Sequence, residues 1–189
     1  MPSRFLFLLA SARQGGNTEL LARRAAAALP PSAEQRWLRL ADVPLEPFAD
    51  LRHGGGGYAM PTGHGRTLLD ATLWATDLVM AAPTYWYGLP APAKLYLDHW
   101  SGWLRVPGVD FEARMAGKAL WTITVNADDP GDDSGSALLV ETLRRSARYL
   151  GMRAPGALVG HGNRPGEVLR DAAALAAADR LFREELLAG

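Results

Sequence analysis

The 189-residue chain has no cysteine. That excludes disulfides, thiolate-bound zinc and cysteine-ligated iron–sulfur clusters. It is almost without lysine: Lys94 and Lys118 are the only two among 20 basic residues. It has no charge imbalance, since 20 acidic residues match the basic ones. No net field therefore makes nucleic acid or an anionic membrane the default partner. No apolar run is long enough to cross a bilayer. The opening "RFLFLLA" is shorter than a secretory signal and gives way at once to a polar turn. A cytoplasmic protein without nucleic-acid partners or membrane insertion is expected. The four histidines, His53, His64, His99 and His161, have no ligand spacing, so no metal site is expected.

What the chain does have is alternation. Residues 4–10 ("RFLFLLA") form a short, nearly continuous apolar run, the mark of a strand buried on both faces. Residues 18–30 carry Leu21, Ala25 and Ala28 at helical spacing and stop at Pro30. Residues 34–43 alternate and suggest a half-exposed edge strand, with Trp37 out of phase. A glycine- and proline-rich loop fills 44–65, and a helix follows at 66–75. Strand and helix then repeat: strands at 76–83, 118–126 and 153–162, helices at 89–104, 136–151 and 166–188. The last helix is expected to bury Val168, Ala172, Leu175, Phe182 and Leu186. Strict βα alternation of this kind implies a parallel sheet covered on both faces. The length suits a single domain, 1–189.

In an open parallel sheet, ligands bind beyond the carboxyl ends of the strands. Three of these ends stand out. The first is "SARQGGNT", residues 11–18. A strand end running into a helix start gathers unpaired N–H groups backed by the helix dipole. Gly15 and Gly16 let the backbone approach an anion. Arg13 offers a permanent, forked cation. The plain alternative is a helix cap by Asn17 or Thr18. The turn is neither a Walker loop nor a dinucleotide fingerprint, and a phosphate monoester suits it better.

The second is "PTYWYGLPAPAKLYLD", residues 83–98, where three aromatic rings cluster at a strand end and could frame a planar ligand. The third is "NADDPGDDSG". Its spacing does not match a calcium loop, and Asp133 or Ser134 is expected to cap the next helix. Lys94 and Asp98 make a surface pair. The dispersed arginines suggest solvated faces. No nucleophile–base pair is visible.

Together, the two motifs "SARQGGNT" and "PTYWYGLPAPAKLYLD" resemble those of the NADPH-dependent FMN reductases and related quinone reductases. The resemblance spans nearly the whole chain. It implies a flavodoxin-like three-layer α/β sandwich with a five-stranded parallel sheet in the order 2-1-3-4-5. It also implies noncovalent FMN, NAD(P)H as co-substrate, a small-molecule electron acceptor such as a quinone or flavin, and a homodimer or tetramer. On this resemblance Ser11, Arg13, Gly16, Asn17 and Thr18 would hold the FMN phosphate. Pro83, Thr84, Tyr85, Trp86, Tyr87 and Gly88 would line the flavin ring, and Asn126 would border its other side. The alternatives are a flavodoxin-type electron carrier, disfavoured by the zero net charge, and a flavin-free binding or regulatory protein of the same fold.

Overall fold

The computed structural model describes residues 2–54, 57–128 and 135–183. Five strands form one sheet: β1 (Arg4–Leu9), β2 (Glu34–Arg39), β3 (Asp77–Ala81), β4 (Ala119–Asn126) and β5 (Ala157–His161). All four pairings are parallel, and the order is β2-β1-β3-β4-β5. This is the order that the resemblance implies. The helices are α1 (Asn17–Ala26), α2 (Gly63–Trp74), α3 (Ala91–Trp103), α4 (Phe111–Met115), α5 (Ser136–Tyr149) and α6 (Ala172–Ala178).

The central strands show why their sequence is nearly all apolar. Along β1, Phe5, Phe7 and Leu9 join one core with α1 and α6. Leu6 and Leu8 point the other way, into a core with α2, α3 and α5. A period of two serves both layers only if every position is hydrophobic. Full burial of each such Leu or Phe contributes about 1.5–3 kcal/mol before entropy is counted. β2 lies at the sheet edge and is half-exposed. Trp37 is not out of phase: its ring stacks on Phe7 at 3.9 Å, and the Arg23 guanidinium covers its other face at 3.7 Å.

The last helix differs from the sequence reading, and α4 was not expected from it. The last helix is broken at its start. A 3-10 turn (Glu167–Arg170) precedes α6, and the Asp171 side chain caps the new helix at the Ala174 N–H. The restart shifts the phase. The buried face carries Val168, Ala174, Ala178 and Phe182, while Ala172 is exposed and Leu175 only partly buried. Leu186 lies outside the described residues, as do the proposed caps Asp133 and Ser134. The described parts of the long loop are irregular as expected up to the start of α2 at Gly63, and they pack on α3 through Glu46, Phe48 and Tyr58. Phe48 and Tyr58 stack on each other, and His99 Nε2 sits 2.8 Å from the Glu46 carbonyl. A Cβ on Gly102 would stand 3.1 Å from the Tyr58 ring, so a side chain at this point of α3 would crowd the loop.

Candidate functional site

At the carboxyl edge of the sheet a cleft of about 190 Å³ opens between the ends of β1, β3, β4 and β5. Ser11, Arg13, Gly16, Asn17, Thr18, Pro83, Thr84, Tyr85 and Asn126 line it. Residues from three separate strand ends are thus brought together. Trp86, Tyr87 and Gly88 are not in its lining and lie further along the turn that begins at Tyr85. Gly162, Asn163 and Pro165, after β5, complete the wall and were not expected. The signal for them was available: "HGN" follows a strand next to β4, and ligands gather where such strands end.

The helix-cap reading of the first motif does not hold. The N-cap of α1 is Gly16, and no side chain caps the helix. Asn17 does something else: its amide NH₂ donates to the carbonyls of Gly162 and Arg164, each at 2.9 Å. This ties the start of α1 to the loop after β5. Asn17 Oδ1 is left buried without a hydrogen-bond partner. The first-turn N–H groups of α1 have no intrahelical acceptor by construction. They open toward a cleft that also holds a permanent cation. A Cβ on Gly16 would meet Ser11 Oγ at 3.3 Å, so a side chain there would crowd the approach to these amides.

The loop before α1 is held from behind. The Arg13 N–H donates to Ser11 Oγ at 3.1 Å, and the Gly15 N–H donates to Glu19 Oε2 at 2.9 Å. Arg39, at the end of β2, donates to both Glu19 Oε2 at 2.6 Å and the Arg13 carbonyl at 3.0 Å. Arg39 is therefore not part of a solvated face, contrary to the sequence reading. Its side chain is 13% exposed and that of Glu19 is 11% exposed. Burial works against the Glu19 carboxylate, but hydrogen bonds from Arg39, the Gly15 N–H and Arg23 outweigh it and hold its pKa below the ordinary 4.5.

The sign of the pH effect follows. This carboxylate's contribution is fully present above about pH 4.5 and is lost as pH falls through its lowered folded value. Glu19→Gln should remove that part of the acid unfolding transition. It should also weaken ligand retention at the loop about tenfold, because a charge-assisted bond becomes a neutral one. Acid denaturation curves of the two proteins, followed by circular dichroism, check the first point. Superimposable acid limbs would disprove the role.

On the other wall, a chain of polar groups runs under the aromatic turn. Thr84 Oγ1 lies 3.0 Å from both Thr124 Oγ1 and Ser136 Oγ. Asn126 Nδ2 donates to Ser136 Oγ at 2.9 Å. Nδ1 of His161 lies 3.2 Å from Asn126 Oδ1 and 3.0 Å from the Asp128 carbonyl. Two acceptors around one ring nitrogen require that Nδ1 carry the proton. His161, unremarkable in sequence, thus fixes the end of β4 against the end of β5.

An open parallel sheet with an uncapped helix N-terminus, an arginine that faces no carboxylate among the described residues and an aromatic turn at one switch point defines a class: α/β proteins that hold a phosphorylated planar cofactor. Residues 3–164 match the family model for NADPH-dependent FMN reductase, and the chain belongs to that family. Membership makes FMN its cofactor and NAD(P)H its reductant. Bacillus subtilis YwqN, provisionally named an NAD(P)H-dependent FMN-containing oxidoreductase, is 36% identical over 172 residues, covering 90% of this chain and 92% of YwqN.

The structure of a Trp repressor binding protein from Bacillus subtilis is similar, with a TM-score of 0.73 and 30% identity, over 94% of this chain and 97% of the other. An FMN-dependent NADH-azoreductase from Bacillus anthracis, solved in complex with FMN, shares the fold, with a TM-score of 0.64 and 15% identity over 96% and 99% of the two chains. The fold is flavodoxin-like. Among the described residues no helix is long and apolar enough to cross a membrane.

Proposed function

We propose that this chain passes electrons from a nicotinamide to a quinone, a free flavin or a similar small acceptor, with FMN seated in the cleft at the carboxyl edge. The observation that carries this reading is the uncapped start of α1, which opens into a cleft lined by Arg13. The residues fit the cofactor's tail. Ser11, Arg13 and the amides from Gly16 to Thr18 would hold a phosphate. The orphaned Asn17 Oδ1 offers an acceptor to a ribityl hydroxyl. Pro83, Thr84, Tyr85, Trp86, Tyr87 and Gly88 would hold the ring, with Asn126 on the far side.

When bound, FMN supplies the hydride and electron chemistry. The chain's part is position and electrostatics. The Thr84–Ser136–Asn126–His161 bonds keep the two walls in register. The exposed Tyr85, Trp86 and Tyr87 offer ring faces to planar molecules. No general acid or base is assigned. A homodimer or tetramer in the cytoplasm fits this reading.

The test is direct. Purified protein should be yellow, or become so with FMN and stay so after desalting. It should also oxidise NADPH under argon only when a quinone or flavin acceptor is present in excess. Protein that stays colourless after FMN soaking ends the proposal. Yellow protein that is reduced neither by NADPH nor by NADH would instead mark an electron carrier.

A further inference from the structure

We propose that the opposite, amino-terminal edge of the sheet carries a second anion site. Arg4, Arg114 and Arg153 build it for a compact ligand bearing two or more phosphate or similarly charged groups. The inference is independent of the flavin reading.

A cleft of about 600 Å³ lies there, between the starts of β1, β3 and β4 and the end of α4. That volume suits a small ligand. Its charge is one-sided in a chain that is neutral overall. Among the described residues Arg4, Arg114, Arg153 and Lys118 line it, against the single carboxylate of Asp77. Asp77 is already engaged: Oδ1 accepts from Trp121 Nε1 at 3.0 Å, and Oδ2 accepts from Thr76 Oγ1 at 2.7 Å.

Seven arginines of this chain are neutralised at close range. Arg23, Arg24, Arg39, Arg52, Arg66, Arg144 and Arg145 each face a carboxylate within 4 Å. Among the described residues Arg4 and Arg114 face none. Lys118 is not the ligand's first contact, because its ammonium is spent on the carbonyls of Thr72, Leu73 and Ala75 at the end of α2. It reports the local field instead. Burial, then the charges of Arg114 and Arg4, push its pKa down to about 8. The cleft repels its own cations, and an anion would relieve that.

Two of the three guanidinium roots are rigid. The Arg4 N–H donates to Thr76 Oγ1 at 2.8 Å, and its carbonyl accepts from the Thr76 N–H at 2.9 Å. Arg153 is bridged to Ala119, with its N–H on the Lys118 carbonyl at 2.8 Å. Cations held on sheet edges lose little entropy on binding, which favours a forked grip on phosphate. No aromatic ring lines the cleft, so a stacked nucleobase is not the preferred passenger.

The experiment is calorimetric titration of the FMN-saturated protein with pyrophosphate at low salt. One saturable event is expected. Arg114→Glu, at an exposed position, should weaken it about tenfold or more, because an attraction becomes a repulsion. Arg13→Ala, kept in excess FMN, should leave pyrophosphate affinity unchanged. Heat that never saturates would overturn the site, and so would an Arg114→Glu curve that superimposes on the parent's. Binding that disappears in Arg13→Ala and survives in Arg114→Glu would also overturn it, since pyrophosphate would then occupy the phosphate loop. Failure of the flavin reading shows separately, as colourless protein, and leaves the pyrophosphate titration interpretable.

Discussion

Replacing Arg13 by Ala is expected to weaken FMN binding by about 10- to 100-fold. The backbone of Arg13 is pinned at both ends. Its N–H donates to Ser11 Oγ, and its carbonyl accepts from Arg39. The guanidinium itself is exposed and has no carboxylate within 4 Å among the described residues. The chain thus fixes the root of a cation and leaves its head for a ligand. A hydrogen bond to a charged group contributes about 1.5–3 kcal/mol. At 1.4 kcal/mol per decade, this gives the stated range. Because the head is unpaired, its loss should cost the apoprotein little, and apo stability should change by less than about 0.5 kcal/mol. Arg13→Lys keeps the charge and loses the fork, so its affinity should fall between the two. Fluorescence titration with FMN measures all three proteins. An unchanged affinity in Arg13→Ala would remove the phosphate role from this residue.

The same loop shows how far the residues alone can take the reading. β1, β3 and β4 were legible because burial on both faces forces unbroken apolar runs. The strand order came from the resemblance, and the alternation and crossover rules agree with it. Asn17 stands at the start of α1, and its task stayed open in the sequence, since a cap and a cradle use the same residue types. The hydrogen bonds of its amide to Gly162 and Arg164 join positions about 145 residues apart. No local pattern encodes such a contact.

Arg39 looked like a surface charge for the same reason: its pairing with Glu19 depends on β2 lying beside β1. α4 has five residues and a left-handed entry at Asp110, too little for a periodic signal. The last helix was misphased because a 3-10 turn consumes residues at a different pitch. Each miss lies where a tertiary contact or a short irregular turn overrides local spacing.

The largest trade-off should appear at the aromatic turn. Tyr85 and Gly88 exchange both backbone hydrogen bonds, each at 3.1 Å, which makes Trp86 and Tyr87 the two corner residues of a tight hairpin. Both have positive φ, 48° and 62°. This geometry favours Asn-Gly. A residue with a Cβ is disfavoured there by about 1–2 kcal/mol. Nothing local repays Trp86, which is 96% exposed. Tyr87 lies over Gly135, where a Cβ would come within 2.6 Å of it.

Strain of this kind, held on exposed rings beside a cleft, is expected where function rather than folding selects the residues. Substituting Trp86→Asn together with Tyr87→Gly should therefore stabilise the apoprotein by about 2 kcal/mol. Its melting temperature should rise by about 4–8 °C. The same change removes two ring faces, each worth about 0.5–1.5 kcal/mol to a planar ligand. Together they predict a fall in kcat/KM for quinone reduction of about tenfold or more. A lower melting temperature would show that the turn is not strained. A higher one with undiminished activity would show that the rings serve no ligand. Stabilisation coupled to lost activity is the outcome that assigns the turn to the site.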